Sequence, residues 1–284
     1  MTAPILAVAG LSAISDRDRM PILHDVSLSV SRGETRGLVG ESGAGKSTIG
    51  KAVLGILPHT VRVTAGAIRF EGQDLLTMPA APLRSLLGER VALIPQDPMT
   101  ALNPARRIEG QLTDGLRLWR GLDGARARKT ALRLLDEVQI RDPDRVLKSY
   151  PHELSGGMRQ RVLIAAAFAL EPRLIVADEP TTALDVTVQK QILRLVRAMQ
   201  RAHGTAVIFI THDLGVVAQV CDDVTLLFGG RVIEEGPTAD MYERPQHAYT
   251  RALLDGCPRY DRPKAGLRPV PAEVIAELRA ESRP

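Results

Sequence analysis

Residues 40–47 read Gly40-Glu41-Ser42-Gly43-Ala44-Gly45-Lys46-Ser47 and match the phosphate-loop pattern G-x-x-x-x-G-K-[ST]. An apolar run predicted as a strand, Glu34 to Val39, precedes the loop, and a predicted helix, Ser47 to Leu57, follows it. The pattern requires this order of strand, loop and helix. Glycines let the backbone approach an anion closely, and the helix N-terminus adds favourable partial charge. The segment therefore predicts a phosphate-binding site within an α/β fold; the alternative is a glycine-rich turn that binds nothing.

The loop predicts particular contacts to a nucleotide. Lys46 is expected to reach the β- and γ-phosphates. The hydroxyl of Ser47 is expected to ligate Mg²⁺, a hard cation that prefers oxygen ligands. The full set of loop residues predicted to contact the nucleotide is Gly40, Glu41, Ser42, Gly43, Ala44, Gly45, Lys46, Ser47 and Thr48.

Two further predicted strands each end in polar residues. Leu174 to Ala177 runs into the adjacent acids Asp178 and Glu179, and Thr205 to Ile210 is followed closely by His212. Open α/β sheets bind ligands at the carboxyl ends of their strands. Asp178 is expected to hold the metal, directly or through water, and Glu179 to polarise the water that attacks the γ-phosphate. His212 is expected to contact the γ-phosphate or to orient Glu179; taken alone, these residues also fit solvent-facing acids and a structural histidine.

Short β-like runs alternate with helical patterns, which indicates an α/β domain with a largely parallel sheet. Between the last two strands, one helix packed on the sheet is predicted by apolar residues at helical spacing: Val188, Ile192, Leu195, Val196 and Met199. From about Asp97 to Pro151 a helical insertion is predicted by Leu112, Leu116, Leu132, Leu135 and Val138. After about Gln246 we expect a peripheral extension with one late helix over Ala272 to Arg279.

Composition excludes several classes of protein. The 284 residues are 44% hydrophobic and 25% charged, which suits a globular core, and no apolar run approaches the length of a membrane-spanning helix. The two cysteines, Cys221 and Cys257, are too few for a disulfide framework and suit the cytoplasm. We expect no nucleic-acid partner, because 33 acidic residues are interleaved with 37 basic ones and aromatic residues make up only 3%. The densest basic segment, Arg117 to Arg133, is expected to form an exposed helical face.

A second glycine-containing segment indicates a family. Residues 154–161 read Leu154-Ser155-Gly156-Gly157-Met158-Arg159-Gln160-Arg161. Together with the phosphate loop, Gln96, the acidic pair and His212, in this order, the segment closely resembles the ATP-binding subunit of ABC transporters, over roughly Leu6 to Pro258. The resemblance implies a P-loop NTPase (RecA-like) core with a mainly parallel sheet, an antiparallel β part and a helical subdomain inserted at about 97–158. It also implies an ATP-binding domain over 1–258 and a peripheral extension over 259–284, which continues a tail that begins near 245.

Two segments narrow the resemblance to one group of importers. Residues 94–104 read Ile94-Pro95-Gln96-Asp97-Pro98-Met99-Thr100-Ala101-Leu102-Asn103-Pro104, and residues 245–254 read Pro245-Gln246-His247-Ala248-Tyr249-Thr250-Arg251-Ala252-Leu253-Leu254. Both look like the corresponding segments of oligopeptide, dipeptide and nickel importer ATPases. Residues 55–58 and 211–217 look like the first of two ATPase types that usually pair as a heterodimer. The implied function is an ATP-hydrolysing subunit that powers import of peptides or similar small solutes.

The resemblance also implies partners and further site residues. ATP would contact the phosphate loop of one subunit and Ser155, Gly156 and Gly157 of another, and Gln96 would sense Mg²⁺ or the attacking water. Asp185 would communicate across the dimer, although a helix N-cap is an equally available role for it. The implied partners are a second ABC ATPase subunit in a heterodimer, two transmembrane permeases and, indirectly, an external solute-binding protein. The chain would be peripheral at the cytoplasmic face of the inner membrane.

The sequence departs from the family pattern upstream of the phosphate loop, where adenine is usually held. Such subunits usually stack adenine on an upstream aromatic residue, but none precedes Phe70, so Ile14, Arg17 or Arg19 is the expected substitute. Some relatives carry a cysteine-rich tail that can hold an iron–sulfur cluster; Cys257 is alone in the tail here, and no cluster is expected.

The alternative function is a soluble ABC ATPase in translation or DNA maintenance. Such proteins usually join two ATPase domains or carry a long coiled coil, and this sequence has neither.

Overall fold

A computed structural model describes residues 3–182, 184–256 and 271–281 of the chain. Its strands are, in chain order, β1 (Leu6–Ser15), β2 (Pro21–Val30), β3 (Thr35–Gly40), β4 (Val61–Phe70), β5 (Gln73–Asp74), β6 (Val91–Ile94), β7 (Leu174–Asp178), β8 (Ala206–Thr211), β9 (Asp223–Phe228) and β10 (Arg231–Pro237). Its helices are α1 (Lys46–Val53), α2 (Ala80–Arg90), α3 (Pro98–Ala101), α4 (Ile108–Arg120), α5 (Gly124–Glu137), α6 (Pro143–Lys148), α7 (Gly156–Phe168), α8 (Val186–His203), α9 (Leu214–Val220), α10 (Thr238–Glu243), α11 (Ala248–Gly256) and α12 (Ala272–Glu281), with a short 3-10 helix at Pro151–Glu153. Cys257 and residues 259–270 and 282–284 of the predicted extension lie outside the described residues.

The chain divides into two units. The first unit consists of the described residues of Met1–Met78 and Ile208–Pro284, and the second unit of those of Pro79–Val207. The first unit contains the antiparallel β part that the family resemblance implies: β1 pairs with β2 on one side and with β4 on the other, and β5 pairs with β4. Side chains along β2 alternate between buried and exposed positions, as in a strand with one face on the core.

A parallel strand pair in the first unit carries the phosphate loop. β3 pairs in parallel with β9, with Val39 opposite Leu226 and Gly40 opposite Leu227. β10 pairs antiparallel with β9, and β8 lies on the other side of β3. The strand predicted over Glu34 to Val39 is therefore present but lies one residue further along the chain.

The helix after the loop is shorter than the sequence predicts. α1 begins at Lys46 and ends at Val53, whereas the prediction ran to Leu57. Leu54 caps the helix, and Gly55 then adopts a φ of 65°, a left-handed conformation that an α-helix cannot continue through. The prediction extends too far because the apolar residues after Gly55 continue the hydrophobic pattern, although their backbone is not helical.

The second unit contains a buried parallel pair. β6 lies beside β7, with Ile94 opposite Ala177. Residues 174–177 of β7 are all 0% exposed, so the strand is a continuous apolar run, as expected of a strand covered on both faces. The predicted strand over these residues is confirmed, with Asp178 added at its end. The strand predicted over 205–210 likewise forms, one residue later, as β8.

Helices α3 to α6 occupy the predicted helical insertion. Leu112 and Leu116 of α4 and Leu135 of α5 are buried, as their spacing predicts, whereas Leu132 is only half-buried. The prediction that Arg117 to Arg133 forms one helical face is wrong, because Gly121 ends α4 at a φ of 62° and a second helix follows. The basic side chains are nevertheless mostly exposed, on two helices rather than one.

α8 confirms the predicted amphipathic helix. Four members of its stripe are buried, and Val188 is half-buried: the buried ones are Ile192, Leu195, Val196 and Met199. Asp185 caps the N-terminus by accepting hydrogen bonds from the backbone N–H groups of Thr187 at 3.0 Å and Val188 at 2.9 Å. None of the described helices is both long enough and apolar enough to cross a bilayer.

The segment after Gln246 packs more tightly than predicted. Tyr249, Thr250 and Leu254 of α11 are buried, so this part of the chain is not peripheral. Glu234 on β10 anchors the N-terminal end of α11. The Glu234 carboxylate accepts hydrogen bonds from the backbone N–H groups of Gln246 at 2.8 Å and His247 at 2.9 Å, and another from the hydroxyl of Thr250. The late helix α12 forms where it was predicted and extends to Glu281.

Replacing Glu234 with Ala should destabilise the chain by about 1.5 kcal/mol, because hydrogen bonds to a charged acceptor are among the stronger ones in proteins. Burial raises the pKa of Glu234, but the hydrogen bonds from Gln246, Thr250 and His247 outweigh burial and leave the pKa below its ordinary value of 4.5. A carboxyl group with a lowered folded-state pKa stabilises the fold above its unfolded pKa and loses that contribution as the pH falls through the folded pKa.

Urea unfolding of wild type and Glu234→Ala across a pH series measures this effect. The stability difference should be full at neutral pH and should shrink at pH values below 4.5. Glu243→Ala, at an exposed glutamate of α10, is the matched control and should change stability by less than about 0.5 kcal/mol. Equal effects of the two variants would contradict the anchoring role.

Candidate nucleotide site

The phosphate loop of the first unit requires glycine at two points. Gly40 has a φ of 154°, and a Cβ built on it would overlap the carbonyl oxygen of Leu227 on β9. Gly45 has a φ of 94°, and a Cβ there would lie 2.5 Å from Cδ2 of Leu23 on β2. Because real Cβ atoms do not approach other atoms this closely, the loop lies against both strands in a conformation that only glycine allows without displacement.

Lys46 is the buried cation of the loop. Its side chain is 5% exposed, and Nζ donates hydrogen bonds to the carbonyl oxygens of Gly40 and Glu41, each at 2.7 Å. The ammonium group is therefore held over the loop whose N–H groups are expected to face a phosphate. Of the other predicted contact residues, Glu41, Ser42 and Gly43 are exposed, Ala44 is buried, and Ser47 and Thr48 are half-buried in the first turn of α1. A buried ammonium group beside a glycine-rich loop at a helix N-terminus suits an anion such as a phosphate group.

His212 and the adenine candidates also belong to the first unit. His212 is exposed directly after β8, and the next residue, Asp213, caps α9 by accepting a hydrogen bond from the N–H of Gly215 at 2.8 Å. Ile14 is half-buried near the end of β1, and Arg17 and Arg19 are exposed in the turn that follows. Their roles remain predictions.

Glu179 and Gln96 meet in the second unit. The parallel pairing of β6 with β7 brings the carboxyl ends of both strands to one edge, and Gln96 and Glu179 each follow within two residues. Nε2 of Gln96 donates a hydrogen bond to Oε2 of Glu179 at 3.2 Å. The sequence predicts both residues as functional but does not predict this contact, because 83 positions separate them.

Thr182, which the sequence pattern does not predict as a site residue, also contacts Glu179. Its Oγ1 donates to the same carboxylate oxygen, Oε2 of Glu179, at 3.0 Å, and its backbone N–H donates to the carbonyl oxygen of Glu179 at 3.3 Å. The sequence does contain an indication of this contact, because a hydroxyl residue three positions after an acid can close a turn by bonding back to that acid. Glu179 itself has a φ of 46°, a strained conformation for a residue other than glycine. These contacts therefore fix the orientation of the carboxylate.

Ser155, Gly156 and Gly157 form the start of α7 in the second unit. Ser155 is the N-cap, and its Oγ accepts a hydrogen bond from the N–H of Met158 at 3.3 Å. Ser155 and Gly156 are exposed, so the first N–H groups of the helix face solvent at an end that attracts anions. A Cβ on Gly157 would lie 3.3 Å from Cγ1 of Val188, which favours glycine where α7 approaches α8.

The predicted metal ligands fit Mg²⁺ by their chemistry. Ser47, Gln96 and Asp178 supply a hydroxyl, an amide and a carboxylate oxygen, the ligand types that hard divalent cations take. Among the described residues there is no group of three or more His, Cys, Asp or Glu side chains that could hold a metal ion.

Comparison with known proteins identifies the family. The family model described as "ABC transporter" matches residues 23–182, and the one described as "Oligopeptide/dipeptide transporter, C-terminal region" matches residues 233–282. The chain belongs to the ABC transporter family of ATP-binding proteins. It is an ATPase, and the predicted P-loop NTPase fold of the α/β class is confirmed.

Curated relatives cover most of this chain. It is 48% identical to the probable D,D-dipeptide transport ATP-binding protein of Escherichia coli (strain K12), over 96% of this chain and 84% of that protein. It is 45% identical to the oligopeptide transport ATP-binding protein of Salmonella typhimurium (strain LT2), over 90% of this chain and 76% of that protein.

Solved structures share the fold. CbiO1 from Clostridium perfringens, part of the ABC transporter complex CbiONQ, matches with a TM-score of 0.75 at 28% identity, over 86% of this chain and 93% of that chain. A dimeric ATP-binding cassette in a post-hydrolysis state, bound to ADP and phosphate, matches with a TM-score of 0.72 at 26% identity, over 82% of this chain and 98% of that chain.

Gly40→Ala should destabilise the nucleotide-free chain by about 3 kcal/mol, because the new methyl group overlaps a backbone carbonyl that cannot rotate away. Gly43→Ala is the matched control: Gly43 also has a positive φ, 84°, but a Cβ there meets no atom within 4 Å. It should cost only the backbone strain, about 1 kcal/mol. Urea unfolding of both variants measures the difference, and equal losses would contradict the close contact with β9.

Proposed function

We propose that this chain is the ATP-hydrolysing subunit that powers an ABC importer for peptides or similar small solutes. Membership of the family supports ATP hydrolysis, and the match of residues 233–282 to the C-terminal region of oligopeptide and dipeptide transporters supports the solute class. The names of the curated relatives, which refer to dipeptide and oligopeptide transport, agree with this proposal. The observation that carries the reaction is the carboxylate of Glu179, oriented by Gln96 and Thr182.

The phosphate loop would bind the nucleotide. Backbone N–H groups over residues 40–48 would surround the β- and γ-phosphates, and the ammonium of Lys46 would neutralise part of their charge. Ser47, Gln96 and Asp178 would hold Mg²⁺, which when bound would neutralise part of the phosphate charge. Ile14, Arg17 or Arg19 would contact adenine in place of an aromatic residue.

Glu179 would act as the general base. Its carboxylate would accept a proton as the water oxygen bonds to the γ-phosphorus, while the bond from that phosphorus to the bridging oxygen of ADP breaks. Gln96 would keep the carboxylate in position, since it donates to Oε2. His212 would contact the γ-phosphate or orient Glu179.

The working ATPase would be a pair of subunits. Ser155, Gly156 and Gly157 would bind the γ-phosphate of ATP held by the partner's phosphate loop, because the exposed N-terminus of α7 suits an anion. Asp185 would report the state of one subunit to the other from its N-cap position. We propose a paralogous ATPase as the second subunit, two permeases in the membrane, and an external solute-binding protein that acts indirectly.

Domain roles follow the same proposal. Residues 1–258 would form the ATP-binding domain, and the helical subdomain at about 97–158 would pass closure of the pair to the permeases as ATP binds and is hydrolysed. Residues 259–284 would form an extension that continues the tail starting near 245, although Leu278 of α12 is buried rather than peripheral. The chain would lie at the cytoplasmic face of the inner membrane, attached through the permeases.

Glu179→Gln should lower ATP turnover of the assembled complex by about 100-fold or more, because loss of a general base typically costs that much. ATP affinity should stay within about threefold, because the amide keeps the shape of the side chain and the phosphate contacts persist. Glu171→Gln is the matched control, since Glu171 is exposed, precedes the same strand and has a similar φ of 50°. Phosphate release and equilibrium ATP binding are the two measurements; near-normal release by Glu179→Gln would refute the assignment.

Affinity isolation of the tagged chain from its native host in a mild detergent should recover two hydrophobic permeases and a second ATPase. Mass spectrometry of the recovered proteins tests the transport assignment independently of the chemistry, with an untagged host as the control. Recovery with ribosomes or DNA, and without permeases, would instead support a soluble ABC ATPase and contradict import.

A further inference from the structure

Tyr249 connects the tail to the strand beneath the phosphate loop. Its side chain is 0% exposed, and its ring packs edge-on against Phe228, with ring centroids 5.0 Å apart and an angle of 65° between the planes. Phe228 is the last residue of β9, and the residue before it, Leu227, carries the carbonyl oxygen that excludes a Cβ at Gly40. One series of contacts within the first unit therefore runs from α11 to the first residue of the loop.

The position of Tyr249 is fixed from both sides. Thr250, the next residue, donates a hydrogen bond to Glu234, and the backbone N–H of Tyr249 donates to Nδ1 of His247 at 3.1 Å. Glu234 also accepts from the N–H of His247. Because backbone and neighbouring side chains hold it in this way, the phenol ring has a defined direction rather than a choice of rotamers.

The hydroxyl group of Tyr249 is buried and has no hydrogen-bond partner among the described residues. Buried hydroxyl groups are normally paired, because loss of water without a replacement partner is unfavourable. Burial raises the pKa of Tyr249 well above its usual range, and Glu41 raises it further, by its negative charge and because its carboxylate approaches the hydroxyl as a hydrogen-bond acceptor. The carboxylate that acts on the Tyr249 hydroxyl is therefore that of Glu41, the second residue of the phosphate loop.

Glu41 is an unfavourable neighbour for a triphosphate. Its carboxylate is exposed and carries the same sign of charge as the ligand expected a few residues away. Its backbone carbonyl is also one of the two that accept hydrogen bonds from Lys46. If Lys46 turns toward phosphate, Glu41 loses the hydrogen bond that its carbonyl oxygen accepts from Lys46. Another contact would then be needed to hold the carboxylate of Glu41 away from the ligand.

We propose that Tyr249 is a positioning residue for the phosphate loop, whose hydroxyl donates a hydrogen bond to the carboxylate of Glu41 when the loop closes on ATP. The bond would satisfy the buried hydroxyl and would keep the like charge of Glu41 turned from the phosphates. The tail helix α11 thereby contributes to nucleotide affinity without touching the nucleotide. This inference rests on the proposed binding of ATP by residues 40–48.

Tyr249→Phe tests the hydroxyl alone, since the ring and its packing on Phe228 are kept. Isothermal titration of the full chain with MgATP should show affinity about tenfold weaker, the size expected for one hydrogen bond to a charged group. In the assembled complex, KM for ATP should rise about tenfold while kcat stays unchanged. The thermal unfolding midpoint without nucleotide should stay unchanged or rise, because an unpaired buried hydroxyl is removed.

Two further variants separate the possible outcomes. Tyr242→Phe is the control, because the hydroxyl of Tyr242 donates to the carbonyl of Leu214 on α9 rather than to the loop; it should leave MgATP affinity unchanged. In a Glu41→Ala background, Tyr249→Phe should have no further effect on affinity, since the acceptor is already gone.

Three results would overturn the proposal. Wild-type affinity in Tyr249→Phe would make its hydroxyl a packing feature only, and equal losses with and without Glu41 would assign it another partner. Absence of MgATP binding by the wild-type chain would refute the proposed nucleotide site, and this inference with it. The first two results leave the nucleotide site intact, so the failures of the two proposals are distinguishable.

Discussion

The close approach of Gly40 to the carbonyl oxygen of Leu227 is the contact on which the first unit depends. Parallel pairing of β3 with β9 sets this approach, and it leaves no room for a side chain at the point where the chain leaves the strand. The exit direction then places Lys46 at the start of α1, with its ammonium turned back onto the carbonyls of Gly40 and Glu41. The first glycine of the motif is therefore a packing requirement of the fold before it is a feature of phosphate binding.

In the second unit, backbone strain alone does not distinguish the candidate general base. Glu179 and Glu171 flank the same strand, and both have positive φ, 46° and 50°, at a cost of order 1–3 kcal/mol for each residue. They differ in what surrounds the side chain. Glu179 accepts hydrogen bonds from Gln96 and Thr182, so its carboxylate has a defined direction at the carboxyl end of the parallel pair. The contacts around a strained acid, rather than the strain, distinguish a candidate catalytic residue here.

Local patterns predicted the strands and the loop, and long-range packing accounts for what they missed. β3, β7 and β8 lie within one residue of their predicted bounds, because continuous apolar runs that end in polar residues mark buried strands. The end of α1 was misplaced because apolar spacing carries no information about the backbone of Gly55. The contact between Gln96 and Glu179 could not be read from either segment, since it arises only when β6 pairs with β7.

In the tail, residues 245–254 indicate the group of importers, but they do not indicate which of their side chains are buried in the fold. Residues 245–254 indicate a group of importers by resemblance, yet nothing in their spacing says that Tyr249 is fully buried. Its burial follows from Glu234, which lies on β10 and collects the hydrogen bonds at the start of α11, and from Phe228 at the end of β9. The family model for the C-terminal region begins at residue 233 and so includes both the anchor and the buried tyrosine. In this chain, the segment that matches the C-terminal region of oligopeptide and dipeptide transporters therefore packs on Phe228, one residue after the carbonyl oxygen that excludes a side chain at Gly40.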